Sequence, residues 1–158
     1  MAFLGQYEYT LDAKNRLTIP PKFRGALSDG VVLARELEPC ISIRPAQAWR
    51  QFTDHAISSR DPFSKEARDL KRYYSGYAFD GQLDASGRVI LPPPLMEYAG
   101  LGKEITVIGS LDTIEVWDRA RWSEYAPRLS EEAPELASRL SGGGSGGGGS
   151  GPGIGSHP

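Results

Sequence analysis

The hydrophobic positions of this chain fall in short segments bounded by proline, glycine and acidic residues. Segments that alternate or carry β-branched residues predict strands, and apolar residues three or four positions apart predict helices. In the first half the predicted strands lie at 7–11, 16–19, 31–34 and 41–44. The predicted helices of that half lie at 22–27, from about 45 to 57, and from 61 to 75. Because 12–15 has the composition of a tight turn, the first two strands are expected to form a hairpin.

The same order of elements then restarts, with strands predicted at 77–83, 88–91, 105–108 and 114–117 and a short helix at 92–98. The segment from Leu11 to Pro21 reappears from Leu83 to Pro93 at a constant offset of 72. Both copies contain Leu-Asp-Ala, two variable residues, an arginine, three apolar or β-branched residues and two prolines. One copy alone has little apolar surface to bury. We therefore predict two repeats, 1–75 and 76–140, that pack together with pseudo-twofold symmetry.

The C-terminal segment has a different composition from the repeats. An acid-led helix is expected at 131–140, although Pro134 weakens that prediction. From Ser141 to Pro158 the chain is rich in glycine and serine. Such a segment cannot bury enough apolar area to offset the entropy lost on ordering it. We therefore predict a flexible tail at 141–158, outside the fold.

Composition narrows the class of protein. The 158 residues carry a net charge of −2, so the overall charge does not indicate nucleic-acid binding. A single cysteine, Cys40, excludes an intramolecular disulfide framework and suits a reducing compartment. No apolar run approaches the ~20 residues that span a bilayer, and no secretory signal is visible. We expect a soluble, cytoplasmic protein.

The residues that most enzymes need are scarce. His55 and His157 are the two histidines, which is too few for a two-histidine metal site within the repeats. The glycine-rich stretch 142–151 lacks the Gly-Lys-Ser/Thr ending of a phosphate-binding loop and follows no strand. We therefore expect no catalysis, no metal, no cofactor and no small-molecule ligand.

Three motifs resemble one family of bacterial DNA-binding proteins. They are Phe3-Leu4-Gly5-x-Tyr7, Leu11-Asp12-Ala13-Lys14-x-Arg16-Leu17-x-Ile19-Pro20 and Asp84-Ala85-x-Gly87-Arg88-x-x-Leu91-Pro92, and they resemble the MraZ family of the AbrB-like swapped-hairpin group. The resemblance implies an α+β fold, a tandem swapped-hairpin β-barrel of two pseudo-symmetric repeats with flanking helices. It also implies a nucleoid-associated, ring-like homo-oligomer that represses the division and cell-wall gene cluster. Such a protein would bind double-stranded DNA at short direct repeats in its own promoter.

The repeated turns supply the candidate contacts to DNA. Arginine suits this role because its planar fork can bind guanine O6 and N7 together, or a phosphate. Asp12 and Asp84 are expected to cap the turns or orient the arginines, since a carboxylate repels phosphates. A purely structural alternative is that each Asp-x-x-x-Arg pair only closes its turn. The candidate DNA-binding residues are Arg16, Lys14, Asn15, Arg88, Lys22 and Arg24.

The two turns differ in charge and in one backbone position. The first repeat is the more basic, so we expect it to make most of the DNA contacts, with Arg16 as the chief recognition residue. The family's first turn usually has glycine where this chain has Asn15. Asparagine tolerates positive φ better than most residues, so the turn should still form.

A protein-interaction scaffold without DNA binding is the alternative function. Several aromatic side chains could form a partner surface, although at helical spacing they more often belong to a core or a subunit interface. Salt would distinguish the two functions, because DNA binding weakens steeply with salt and an apolar interface does not. The aromatic residues concerned are Trp49, Phe52, Tyr73, Tyr74 and Trp122.

Overall fold

A computed structural model describes residues 2–143 of the chain. Residues 2–122 form one compact unit, and the described residues 123–143 belong to a second. The strands are β1 (Gln6–Thr10), β2 (Arg16–Thr18), β3 (Val31–Arg35), β4 (Ile41–Pro45), β5 (Phe79–Gly81), β6 (Arg88–Ile90), β7 (Glu104–Ser110) and β8 (Thr113–Asp118). The helices are α1 (Ala46–Thr53), α2 (Lys65–Ser75), α3 (Pro93–Ala99) and α4 (Arg119–Gly143). The structure is therefore mixed α+β, as the sequence predicts.

Most strands join one antiparallel sheet in the order β1-β7-β8-β4-β3-β5, while β2 and β6 form a separate two-stranded ribbon. The predicted β1–β2 hairpin is therefore wrong beyond its turn. The turn does close, because the amide of Asp12 donates to the carbonyl of Arg16 at 3.2 Å. The ladder stops there because β1 pairs with β7 and β2 pairs with β6, and both partners come from the second repeat.

The strand pairing is pseudo-symmetric, because equivalent strands of the two repeats make equivalent pairs. At the centre of the ribbon Leu17 lies opposite Val89, and these two residues differ by the repeat offset of 72. At the centre of the sheet Ser42 lies opposite Glu115, which differ by 73. The pairing of β1 with β7 likewise corresponds to that of β5 with β3. Each repeat thus completes the pairing of the other.

Both repeats contribute to one hydrophobic core beneath these strands. Pro20 and Pro92 follow the ribbon strands, and the short helical segments after them pack Phe23, Leu27 and Leu95 into that core. The short helix predicted at 22–27 consists of two 3-10 turns, at Pro21–Phe23 and Gly25–Leu27. Fully buried residues in the strands or directly after them complete the core, among them Leu17, Ile19, Leu33, Ile41, Ile43, Leu91, Ile105 and Ile114.

The helices at the end of the first repeat begin and end for local reasons. The helix predicted from 61 begins at Lys65 instead, because Ser64 caps it by accepting the amide of Ala67 at 3.3 Å. Asp61 forms an earlier turn by accepting the amide of Phe63 at 2.9 Å. The helix ends before Gly76, as predicted. The preceding helix α1 continues into a π-helical segment at Asp54–Ser58.

The C-terminal helix is longer than the sequence pattern suggests. It begins at Arg119 rather than at 131, because the carboxylate of Asp118 accepts the amide of Arg121 at 3.3 Å and so caps the helix. Pro127 and Pro134 both lie inside it. The helix includes the first three residues of the predicted tail, 141–143, and the remaining tail residues, 144–158, lie outside the described residues. No helix within 2–143 is long and apolar enough to cross a membrane.

Candidate nucleic-acid interface

The first turn is organised by the carboxylate of Asp12. Its Oδ1 accepts the backbone amides of Lys14 at 2.9 Å and of Arg16 at 2.8 Å, which fixes the loop. Its Oδ2 accepts the Nε–H of Arg16 at 2.6 Å. Arg16 is thus held through Nε, and within the described residues its terminal Nη1 and Nη2 groups remain as donors for a ligand.

The second turn repeats this arrangement closely. Oδ1 of Asp84 accepts the amides of Ser86 and Arg88, each at 2.9 Å, and Oδ2 accepts Nε of Arg88 at 2.9 Å. Both aspartates therefore bond to the backbone of their turn and to Nε of their arginine. The Asp–Arg ion pair that a purely structural role requires is present in each turn as well, but it uses only the Nε edge of the guanidinium.

Hydrogen bonding lowers the pKa of both aspartates. The backbone amide of Arg16 is the largest cause at Asp12, with its guanidinium adding to the effect, and the pKa falls to about 2. At Asp84 the backbone amide of Arg88 is the main cause, and its pKa is also lowered. Both carboxylates are therefore ionised at neutral pH, where they keep their arginines in place.

Each turn contains one residue with positive φ, which the sequence predicts for Asn15 of the first turn. Asn15 has φ of 56° and Gly87 has φ of 75°, so asparagine adopts the left-handed conformation that glycine has in the second turn. The carbonyl of Asn15 accepts the amide of Leu91 at 3.0 Å, and that of Gly87 accepts the amide of Ile19 at 2.9 Å. The left-handed residue of each repeat is thereby bonded to the residue that follows the ribbon strand of the other.

The two arginines meet at one carboxylate. Nη1 of Arg88 lies 3.8 Å from Oδ2 of Asp12, the same oxygen that binds Nε of Arg16. The antiparallel pairing of β2 with β6 causes this approach, because it makes the two arginines diagonal neighbours on one face of the ribbon. The turns therefore form one composite surface, in which Asp12 offsets part of the repulsion between the guanidinium groups.

The remaining candidate residues do not all lie at the first turn. Lys14 is exposed on it. Arg24 instead packs against Gly87 of the second turn, with its Nε donating to the carbonyl of Ile19 at 2.9 Å. The ammonium of Lys22 lies over the ring of Tyr7, 5.1 Å from its centroid. The expectation that all these basic residues lie around the first turn is therefore wrong for Arg24. The short helical segment after β2 places Arg24 at the second turn.

Sequence reasoning missed one basic residue at the first turn. Lys103 precedes β7, and its ammonium donates to Oδ1 of Asn15 at 2.9 Å and to the carbonyl of Asp12 at 3.2 Å. Its own carbonyl accepts the amide of Leu11 at 2.8 Å. Lys103 belongs to no repeated motif, so no sequence signal places it here. The pairing of β1 with β7 brings it to the turn.

The groups considered for other functions are occupied in packing. Trp49 packs against Phe52 and Phe52 packs edge-on against Tyr74, with ring centroids 5.9 Å and 5.2 Å apart. Trp122 is buried against Trp117. Burial raises the pKa of the Cys40 thiol, so this thiol stays protonated. The described residues include no group of three or more His, Cys, Asp or Glu side chains placed to hold a metal ion.

Comparison with known proteins supports the sequence resemblance. A family model described as "MraZ protein, putative antitoxin-like" matches residues 2–73 and 76–140. Proteins named "Transcriptional regulator MraZ" from Moorella thermoacetica and Herpetosiphon aurantiacus are 37% and 38% identical over 139 residues. These matches span 87% and 88% of this chain and 96% of each relative. The chain therefore belongs to the MraZ family.

Proposed function

We propose that this protein is a sequence-specific, DNA-binding transcriptional regulator that acts as a repressor. The observation that carries the proposal is the composite surface of the two turns, where Arg16 and Arg88 approach the same oxygen of Asp12. Relatives that match nearly their whole length are named as transcriptional regulators, which supports the same function. A cytoplasmic, nucleoid-associated location and an absence of enzymatic activity follow from this proposal.

The chemistry of the surface suits DNA. Nε of each arginine is bound to an aspartate, so the terminal nitrogens form the edge that can meet guanine O6 and N7 or a phosphate. Nη1 of Arg88 also lies 3.8 Å from Oδ2 of Asp12. Lys14 adds an exposed positive charge on the first turn. Because Lys14 and Lys103 both lie at the first turn, Arg16 is the chief recognition residue of the proposal and Arg88 contributes less.

Exchange of strands between the repeats supports the finer fold that the family resemblance implies. We propose a tandem swapped-hairpin β-barrel with repeats at 1–75 and 76–140. Its support is that β1 and β2 both pair with strands of the second repeat and that the register is symmetric about Leu17 and Val89. The composite surface then results from the pairing of strands between the repeats. A hairpin whose two strands paired only with each other would not bring its arginine beside that of the other turn.

Assembly into a ring-like homo-oligomer is the second part of the proposal. A single chain with a net charge of −2 gains little from phosphate neutralisation, which dominates DNA affinity. Several linked copies of the surface would gain about 10²–10⁴ in avidity on DNA with short direct repeats. Such repeats in the protein's own promoter, upstream of the division and cell-wall gene cluster, are the proposed target.

The experiment is a fluorescence anisotropy titration of the full chain. Labelled duplex from upstream of its own gene is compared with a shuffled duplex of equal composition, across a series of salt concentrations. We expect tighter binding to the promoter duplex and an affinity that falls steeply as salt rises. Equal binding to both duplexes would contradict a sequence-specific regulator. A complete lack of binding, with a stable oligomer, would favour the scaffold function.

A further inference from the structure

The first turn differs from the second in having an oriented amide beside its arginine. Asn15 occupies the left-handed position, and Oδ1 of its side chain lies 2.9 Å from Nζ of Lys103. A lysine ammonium can only donate hydrogen bonds, so the atom that faces it must be the amide oxygen. The amide nitrogen, with its two donor hydrogens, therefore points elsewhere.

Lys103 is held firmly enough to set this orientation. Its ammonium also donates to the carbonyl of Asp12 at 3.2 Å, and its carbonyl accepts the amide of Leu11 at 2.8 Å. These contacts span the beginning and the end of the turn. The residue that orients Asn15 therefore comes from the second repeat, although the turn belongs to the first.

The second turn has no equivalent amide. Gly87 has no side chain, and a Cβ there would collide with the guanidinium of Arg24. The oriented amide is thus a feature of the first turn alone. The first turn of the family usually has glycine at this position. The Asn15–Lys103 pair therefore distinguishes this chain from the usual family pattern.

We propose that Lys103 is a specificity-determining residue, which makes Asn15 a hydrogen-bond donor and so biases the first turn toward guanine. The inference rests on the proposed DNA-binding function. Asparagine reads adenine by accepting from N6 while donating to N7. The ammonium of Lys103 takes one lone pair of the amide oxygen and holds a positive charge beside it, which disfavours a second donor such as the N6 amino group. Guanine offers only acceptors, O6 and N7, at this edge of the major groove. The side chains of Arg16, Lys14 and Lys103 beside Asn15 are donors as well.

The test measures base preference at each position of the site. The full chain is titrated by anisotropy with duplexes in which every base pair of the promoter site is changed in turn to the other three. We expect Lys103→Met to shift relative affinity from guanine toward adenine at one position of each direct repeat. The shift should be about fivefold or more, the lower limit for one bidentate base contact. The salt slope should fall by about 1 if Lys103 also contacts a phosphate.

Three further variants separate specificity from charge and folding. Lys103→Arg keeps a charged donor and should retain the parent's preference. Asn15→Gly should lose the guanine preference at that position, and adding Lys103→Met to Asn15→Gly should then lower affinity equally for all duplexes. Glycine can adopt the backbone conformation of Asn15, so Asn15→Gly should fold. Its base preference therefore still tests the proposal if Lys103→Met fails to fold.

Two results would overturn the role of Lys103. One is an equal loss of affinity for every duplex in Lys103→Met, and the other is a preference that is unchanged in Asn15→Gly. If Arg16→Ala still weakens binding in that case, the proposed function stands without this inference. A parent protein that binds no duplex, or an Arg16→Ala variant that binds like the parent, overturns the proposed function and this inference with it.

Discussion

The two Asp-x-x-x-Arg turns have nearly the same internal hydrogen bonds but different neighbours. Asp12 lies beside both arginines, whereas among the described residues Asp84 pairs with Arg88 alone. The first turn has an asparagine bonded to Lys103, and the second has a glycine covered by Arg24. In each case the neighbouring cation comes from the other repeat. Duplication thus preserves the motif, while tertiary contacts make the two copies different.

The largest effect should come from breaking the ribbon that holds both turns together. Leu17 is fully buried at the centre of β2, so Leu17→Ala should lower the free energy of unfolding by about 2–5 kcal/mol. Ile90 lies in the same ribbon but is 62% exposed, and Ile90→Ala should change it by about 0.5 kcal/mol at most. Urea denaturation measures both. Equal effects of the two variants would contradict a packed ribbon.

A smaller effect should distinguish the left-handed positions of the two turns. Gly87→Ala places a side chain at φ of 75° and displaces Arg24, so it should cost about 1–2 kcal/mol from backbone strain alone. Asn15→Gly relieves the strain at the equivalent position and should leave stability within about 1 kcal/mol of the parent. Thermal unfolding of both variants checks the difference. A Gly87→Ala protein as stable as Asn15→Gly would show that Arg24 moves freely.

Acid should affect the two turns through their aspartates. The folded-state pKa of Asp12 is lowered to about 2, so its stabilising contribution is complete above the ordinary value of 3.8 and is lost as pH falls toward 2. The stability difference between the parent and Asp12→Asn should therefore be constant near neutral pH and shrink between pH 4 and 2. The pKa of Asp84 is lowered too, and Asp84→Asn should show the same sign.

Denaturation at a series of pH values measures these differences for each variant. Asp12 supports two arginines, so Asp12→Asn should weaken DNA binding at neutral pH more than Asp84→Asn does. A difference between parent and Asp12→Asn that grows as the pH falls would have the wrong sign for a lowered pKa.

Local structure is the part of this fold that the sequence predicts well. The strands, the turns and the left-handed Asn15 depend on periodicity and on residue preferences that act over a few positions. The start of α4 is less predictable, since Asp118 caps a helix whose interior contains two prolines. The composition of a segment also does not reveal which strand it will pair with.

For the candidate nucleic-acid interface too, the sequence predicts the local motif but not the tertiary contacts. The repeated motif alone identifies Arg16 and Arg88 as candidates, and it suggests how Asp12 and Asp84 hold them. It does not reveal that the arginines meet, because that depends on β2 pairing with β6. Lys103 is a lone lysine without a motif, so only the tertiary structure shows its contact with Asn15.

The most direct test of the account is the DNA affinity of Arg16→Ala and Arg88→Ala, measured by fluorescence anisotropy with promoter duplex over a salt series. We expect Arg16→Ala to cost about 1–3 kcal/mol of binding free energy and Arg88→Ala to cost less. Circular dichroism of both variants serves as the control for folding. If both variants are folded and bind like the parent, the turns are structural and DNA binding does not occur through this surface.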